Sequence, residues 1–99
     1  MYITHYNEDK PETRRMKFNF TKHAIQKFAL LRKVKFPISK RKVRLAIISP
    51  TRLEKGREGA LIATKILDEE YALRVVYKHS DDIITIITFY PVRRIDYEI

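Results

Sequence analysis

Arg74, His23, Tyr90 and Tyr97 are the residues of this chain whose types suggest chemistry on a phosphate. Arg74 lies between Leu73 and Val75 in the middle of an apolar run. A guanidinium there stays charged and offers a rigid fork of donors, suited to an in-line phosphate. The competing reading is a structural ion pair with an acidic residue. His23 stands where a helix begins, and an imidazole can trade protons near neutral pH. Lys27 follows one turn later. Tyr90 and Tyr97 can stack on a base or contact a phosphate, or simply pack at a sheet edge. Arg93 and Arg94 add a second positive cluster. Together, His, Arg, Lys and Tyr supply what RNA cleavage by its own 2′-hydroxyl requires: a base, an acid, and cations for the transition state. No metal or cofactor enters this expectation. The carboxylates are concentrated in turns, which argues against a two-metal nuclease.

The composition narrows the classes further. There is no cysteine among the 99 residues, so neither a disulfide nor thiol catalysis is available. His5, His23 and His79 lack a zinc-like spacing. His79, beside Asp81 and Asp82, reads as a turn residue. No apolar run approaches the ~20 residues of a membrane span. The start, MYITHYNEDKPE, has no apolar core of a signal peptide. The expectation is a soluble cytoplasmic protein without a membrane partner. Charge is uneven. Residues 1–15 carry three basic and three acidic groups, residues 16–59 carry 13 and two, and residues 60–99 carry five and seven. The middle segment, with Lys27, Arg32, Lys40, Arg41, Lys42 and Arg44, forms a positive surface for nucleic acid or an acidic protein. A solvated Lys-rich surface is the plainer alternative.

The elements that must position these groups centre on 71-YALRVVYKHSDDIITIITFYP-91. Two runs rich in β-branched and aromatic residues flank the spacer His79–Asp82 and stop at Pro91, which predicts a long β-hairpin. By period 2, Ala72, Arg74, Val76 and Lys78 share the more open face of its first strand. The second strand divides into Ile83, Thr85, Ile87 and Phe89 against Ile84, Ile86, Thr88 and Tyr90. Alternation does not fix which of these two faces is open, and Thr88 and Tyr90 lie near Arg74 if the hairpin register brings them together. Lys78 and Tyr90 are candidates for contact with nucleic acid. Upstream, residues 1–15 read as a flexible arm with a short strand at Tyr2–Thr4. Met16–Phe20 alternates as a strand. Thr21 caps a helix over Lys22–Val34, and Ser39 caps a second over Lys40–Ile48. Cations crowd the first turns of that second helix against its dipole, which hints at a surface function. Residues 51–59 (TRLEKGREG) read as a loop without a phosphate-binding GKS or GKT. Ala60–Leu67 reads as a strand, and 93–98 as a polar tail that forms either a last strand or a short helical turn. The order β-α-α-β-β-β predicts an α+β fold, two helices on one face of a small, mainly antiparallel twisted sheet. One domain over 16–99 follows. Its core is modest, so a homodimer or a partner would bury further surface.

The segments 18-FNFTKHAIQKF-28, 38-ISKRKVRLAIISP-50 and 73-LRVVYKHSDDIITIITFYPVRR-94 resemble the DUF4258 family, within the RelE/ParE-like toxin superfamily. The resemblance implies a RelE-like fold and a metal-independent endoribonuclease that cleaves mRNA, free or on the ribosome, and is neutralised by an acidic antitoxin. It places the family's helix histidine at His23, its next-turn arginine at Lys27, its basic strand position at Arg74 and its terminal aromatics at Tyr90 and Tyr97. In that mechanism His23 or Tyr97 handles protons while Arg74 and Lys27 hold the scissile phosphate. The link LLRKVKFPIS is longer than the family's, and the segment before MKFNF is extra. Two other readings use the same residues. One is a non-catalytic nucleic-acid-binding regulator of plasmid, viral or archaeal origin. The other is a structural protein that oligomerises through its apolar hairpin edge.

Overall fold

The computed structural model describes residues 16–99. Five strands, β1 (Lys17–Phe20), β2 (Arg52–Lys55), β3 (Leu61–Ile66), β4 (Tyr71–Ser80) and β5 (Ile83–Arg93), form one mixed sheet in the order β1-β5-β4-β3-β2. Three helices accompany it: α1 (Lys22–Lys33), α2 (Lys40–Ile48) and the short α3 (Arg94–Tyr97). The fold is α+β. The predicted arm and the strand at Tyr2–Thr4 lie outside the described residues. Among the described residues no helix is long and apolar enough to cross a membrane, and no cluster of His, Asp and Glu could hold a metal ion.

Local chemistry accounts for the helices. The Thr21 hydroxyl accepts from the Ala24 amide at 3.1 Å and donates to the Ile87 carbonyl at 2.9 Å, so one residue caps α1 and ties it to β5. The helix ends one residue before the expected Val34. Lys35 turns left-handed at φ 61°, and the Phe36 amide reaches the Leu31 carbonyl. Ser39 caps α2 through the Lys42 amide. The inward stripes Ala24, Phe28, Leu31 and Val43, Ala46, Ile47 pack on Ala63, Leu73, Val75, Tyr77, Ile84, Ile86 and Phe89. Phe28 contacts Phe89 with ring centroids 4.7 Å apart. Both long helices therefore cover the same sheet face.

Several boundaries differ from the sequence reading, each for a physical reason. Residues 52–55 are strand β2 rather than loop, because they pair antiparallel with Leu61–Thr64. Four residues are too few for a period-2 signal to stand out, and their pairing is tertiary. The hairpin spacer is shorter than expected. Strand β4 runs through Ser80, and the turn is Asp81-Asp82, with Asp81 at φ 53°. Pro91 does not end β5, which continues to Arg93. The polar tail, by contrast, forms α3, the short helical turn that is one of its two readings. Finally, β5 does not keep period 2. Val76 pairs with Thr88 but Tyr77 pairs with Ile86, a β-bulge that leaves Ile87 extra. The bulge sends Ile84, Ile86 and Phe89 together into the core and Thr85, Thr88 and Tyr90 to the opposite face.

Strand β1 lies parallel to the first half of β5, with Phe18 opposite Ile84 and Phe20 opposite Ile86. The other three pairings are antiparallel. At the opposite end of the sheet, the Asp68 carboxylate accepts from the Glu70 and Tyr71 amides at 2.8 and 2.7 Å and fixes the β3–β4 turn. Those two amides, the Tyr71 bond foremost, hold the Asp68 carboxyl below its ordinary value of 3.8.

Candidate functional site

Arg74 faces away from α1 and α2. Its neighbours Leu73 and Val75 enter the core, so alternation along β4 puts it on the other side of the sheet. The register sets Thr64, Arg74 and Tyr90 in one row across β3, β4 and β5. The side chain is nonetheless buried, only 7% exposed as a residue. Its Nη1 donates to Glu54 Oε1 at 3.0 Å and to Thr64 Oγ1 at 3.2 Å, and its Nε donates to the Tyr90 hydroxyl at 3.3 Å. The Tyr97 ring lies over the guanidinium, 4.5 Å from Cζ to centroid. Burial alone would lower the Arg74 pKa. The bonds to Tyr90 and Glu54 outweigh it and leave the pKa above its ordinary value.

Helix α3, which carries Tyr97, is itself anchored. Arg94 donates to the Asp68 and Glu69 carbonyls at 3.0 and 3.2 Å and to the Ile99 carbonyl at 3.1 Å. Arg52 Nη2 reaches the Glu98 carbonyl at 3.4 Å. Arg94 is therefore a fastening for α3 rather than a cation turned to solvent, while its neighbour Arg93 is exposed.

Three of the sequence candidates thus meet: Arg74, Tyr90 and Tyr97. His23 does not join them. It is exposed on α1, and α1 packs on the opposite sheet face. Lys27, half-buried on the same helix, is likewise on the far side from Arg74. The expected joint action of His23 or Lys27 with Arg74 on one phosphate has no geometric basis here. Lys78 projects from the Arg74 face opposite Thr85, towards the hairpin end.

Glu54 and Thr64 complete the Arg74 site and were not foreseen. Glu54 lies in the segment read as a loop, and only the β2–β3 pairing brings it to Arg74. Its carboxylate changes what Arg74 can do. A phosphate approaching this guanidinium meets a negative charge already bonded to it, so Arg74 is first a tie across four strands and α3. Glu54 is 42% exposed at its side chain, so it can swing into water if an anion displaces it.

The helix layer has a different character. From Lys22 to Arg44 there are nine lysines and arginines, and no acidic residue occurs between Met16 and Leu53. Lys22, Arg32, Lys33, Lys35, Lys40, Arg41 and Lys42 are exposed, and Arg44 is half-buried. Lys40 Nζ lies 5.4 Å from the Phe20 ring centroid. The cations of α2 crowd its first turn, where its dipole disfavours them. A lysine, Lys35, occupies a left-handed position where glycine would be less strained. No protein-family model, curated protein or solved structure matches this chain.

Proposed function

We propose that this chain is a nucleic-acid-binding protein that holds phosphate backbones on its helix layer. The observation that carries the reading is the run of nine cations from Lys22 to Arg44 with no carboxylate interleaved. A helix layer serving only solubility gains from mixed charge, because opposite charges spaced i, i+4 support the helix. Here both helices forgo that support, and α2 carries Lys40, Arg41 and Lys42 against its own dipole. The test is binding of the purified chain to labelled 25-mers across a salt series. Log affinity should fall steeply and linearly with log salt, by about 0.9 per duplex phosphate engaged. Replacing Lys40, Arg41 and Lys42 by Glu should abolish binding at physiological salt while circular dichroism is unchanged. Flat salt dependence defeats the reading.

A toxin-like, metal-independent endoribonuclease neutralised by an acidic antitoxin is the second reading. It is favoured by the convergence of Arg74, Tyr90 and Tyr97 on the sheet face away from α1 and α2. The α+β fold, with two helices on one face of a five-stranded mixed sheet, and the resemblance of the three quoted segments also support it. In this reading Tyr97 takes the proton-transfer role, since His23 is remote, and Glu54 must leave Arg74 when RNA arrives. Incubation with total RNA and with translating ribosomes, without metal, separates the readings. Cleavage lost in Arg74→Lys and raised in Glu54→Gln supports the nuclease. Intact RNA with salt-dependent binding leaves the binding protein.

A further inference from the structure

We infer that the nucleic acid this helix layer fits is duplex DNA, with α1 lying in the major groove and Gln26 and Ala29 at the base edges. The inference rests on the helix layer being a nucleic-acid surface, as proposed above.

The first observation concerns stacking. Proteins that hold single strands present open aromatic faces on which bases stack. The aromatic residues of the helix layer are already occupied. Phe28 packs between Phe20, at 5.7 Å, and Phe89, at 4.7 Å. Phe36 meets the Tyr71 ring edge-on at 4.9 Å. Every phenylalanine and tyrosine among the described residues is half-buried or buried. The surface offers charge on a rigid frame without a stacking platform, which suits the fixed phosphate spacing of a duplex.

The second observation is the outward stripe of α1. Lys22, Gln26, Ala29 and Lys33 are all exposed. At spacings of i, i+4, i+7 and i+11 they fall within a narrow arc of the helix, directly opposite the buried Ala24, Phe28 and Leu31. The end cations are about 16 Å apart along the axis at 1.5 Å per residue. That is wide enough for each to reach a phosphate on one wall of a major groove about 12 Å across. Between them stand one side-chain amide and one methyl. A glutamine amide matches the donor and acceptor pair of adenine, and alanine admits close approach to a thymine methyl. Lys35 lies just past the end of α1, and Lys40, Arg41 and Lys42 open α2 after the intervening link. These cations extend the phosphate contacts beyond Lys33. Duplex RNA is disfavoured, because its major groove is too deep and narrow for a helix to enter.

The test uses the full chain against duplex DNA, single-stranded DNA, duplex RNA and single-stranded RNA of matched length, followed by selection from a randomised duplex DNA library. Duplex DNA should bind at least tenfold tighter than the other three, and selection should yield a motif containing adenine–thymine pairs. Gln26→Ala should weaken discrimination at one position roughly tenfold and leave the salt slope unchanged. Lys22→Ala and Lys33→Ala should each reduce the slope by about one phosphate and leave the motif intact. Ala29→Glu, a change on an exposed helical position, should abolish duplex binding with unaltered circular dichroism. Salt-dependent binding with no preference for duplex DNA, or a motif indifferent to Gln26→Ala and Ala29→Glu, overturns the inference while the helix-layer reading stands. Absence of binding to all four probes at low salt overturns both.

Discussion

The Tyr97 ring caps the Arg74 guanidinium at 4.5 Å, so a four-residue helix closes over a cation in the middle of a β-sheet. Arg74 links β2 through Glu54, β3 through Thr64 and β5 through Tyr90. Its removal should therefore register as lost stability whatever its functional role. Arg74→Met leaves the fully buried Thr64 hydroxyl without this partner. The expected loss is about 2–3 kcal/mol in urea denaturation. Arg74→Lys should recover less than half, because one ammonium group cannot span the three acceptors. A neutral Arg74→Met would show that the network contributes nothing net.

Tyr97→Ala should cost about 1–2 kcal/mol, from lost ring cover and the lost cation–π contact. Tyr97→Phe should be nearly silent in stability, since the face of the ring makes the contact. A double-mutant cycle between positions 74 and 97 should give a coupling of about 1 kcal/mol. If Tyr97→Phe instead abolishes RNA cleavage without altering stability, the hydroxyl has a chemical role and the endoribonuclease reading gains.

Asp68 gives the fold an acid-sensitive turn. Its folded-state carboxyl titrates below the ordinary value of 3.8 because the Tyr71 and Glu70 amides bond the charged form. The stabilisation is therefore complete above the unfolded value and is lost as pH falls through the lower folded one. Asp68→Ala should be less stable than the parent at neutral pH and should converge with it in strong acid. Denaturation midpoints measured as a function of pH check this. A constant difference across that range would mean the turn does not depend on the carboxylate.

Lys35→Gly should raise stability by about 1 kcal/mol, by relieving a left-handed non-glycine residue at the end of α1. The same change should weaken nucleic-acid binding and reduce the salt slope by about one phosphate. Gain of stability with unchanged binding would exclude Lys35 from the contact surface.

Thr21→Val keeps the side-chain shape and removes the hydroxyl that serves both Ala24 and Ile87. It should cost about 1–2 kcal/mol, with Thr21→Ser near parental stability. Faster hydrogen exchange at the Ala24 amide would locate the effect at the start of α1.

The elements with long local signals could be read from residues alone. The Thr21 and Ser39 caps, the two apolar helical stripes and the β4–β5 hairpin rest on spacing, and the chain folds accordingly. What escaped depends on partners distant in sequence. Strand β2 exists because Leu61–Thr64 pairs with it, and Glu54 reaches Arg74 only through that pairing. The faces of β5 could not be sorted by alternation because a single bulge at Ile87 reverses their sense. Tyr90 could lie near Arg74 given a suitable hairpin register, and the register supplies it. The cover of Arg74 by Tyr97 depends on α3 folding back over the sheet, which no local signal announces. His23 was expected beside them, but period-3.6 packing fixes α1 to the far face.

The pairing of β1 with β5 also constrains the order in which the molecule can be made. Lys17–Phe20 has its strand partner at Ile83–Ile86, and the Thr21 tie waits for Ile87, 66 residues further along. During synthesis at about 5–20 residues per second, β1 and the docked start of α1 have no sheet edge until β5 has emerged. The β2–β3–β4 meander can pair earlier, because its contacts are local. Helix α2 packs on β3 and β4 and can seat with that meander, whereas α1 packs on β5 and must wait for it, so for several seconds the cations of α1 are carried undocked on a nascent chain beside ribosomal RNA.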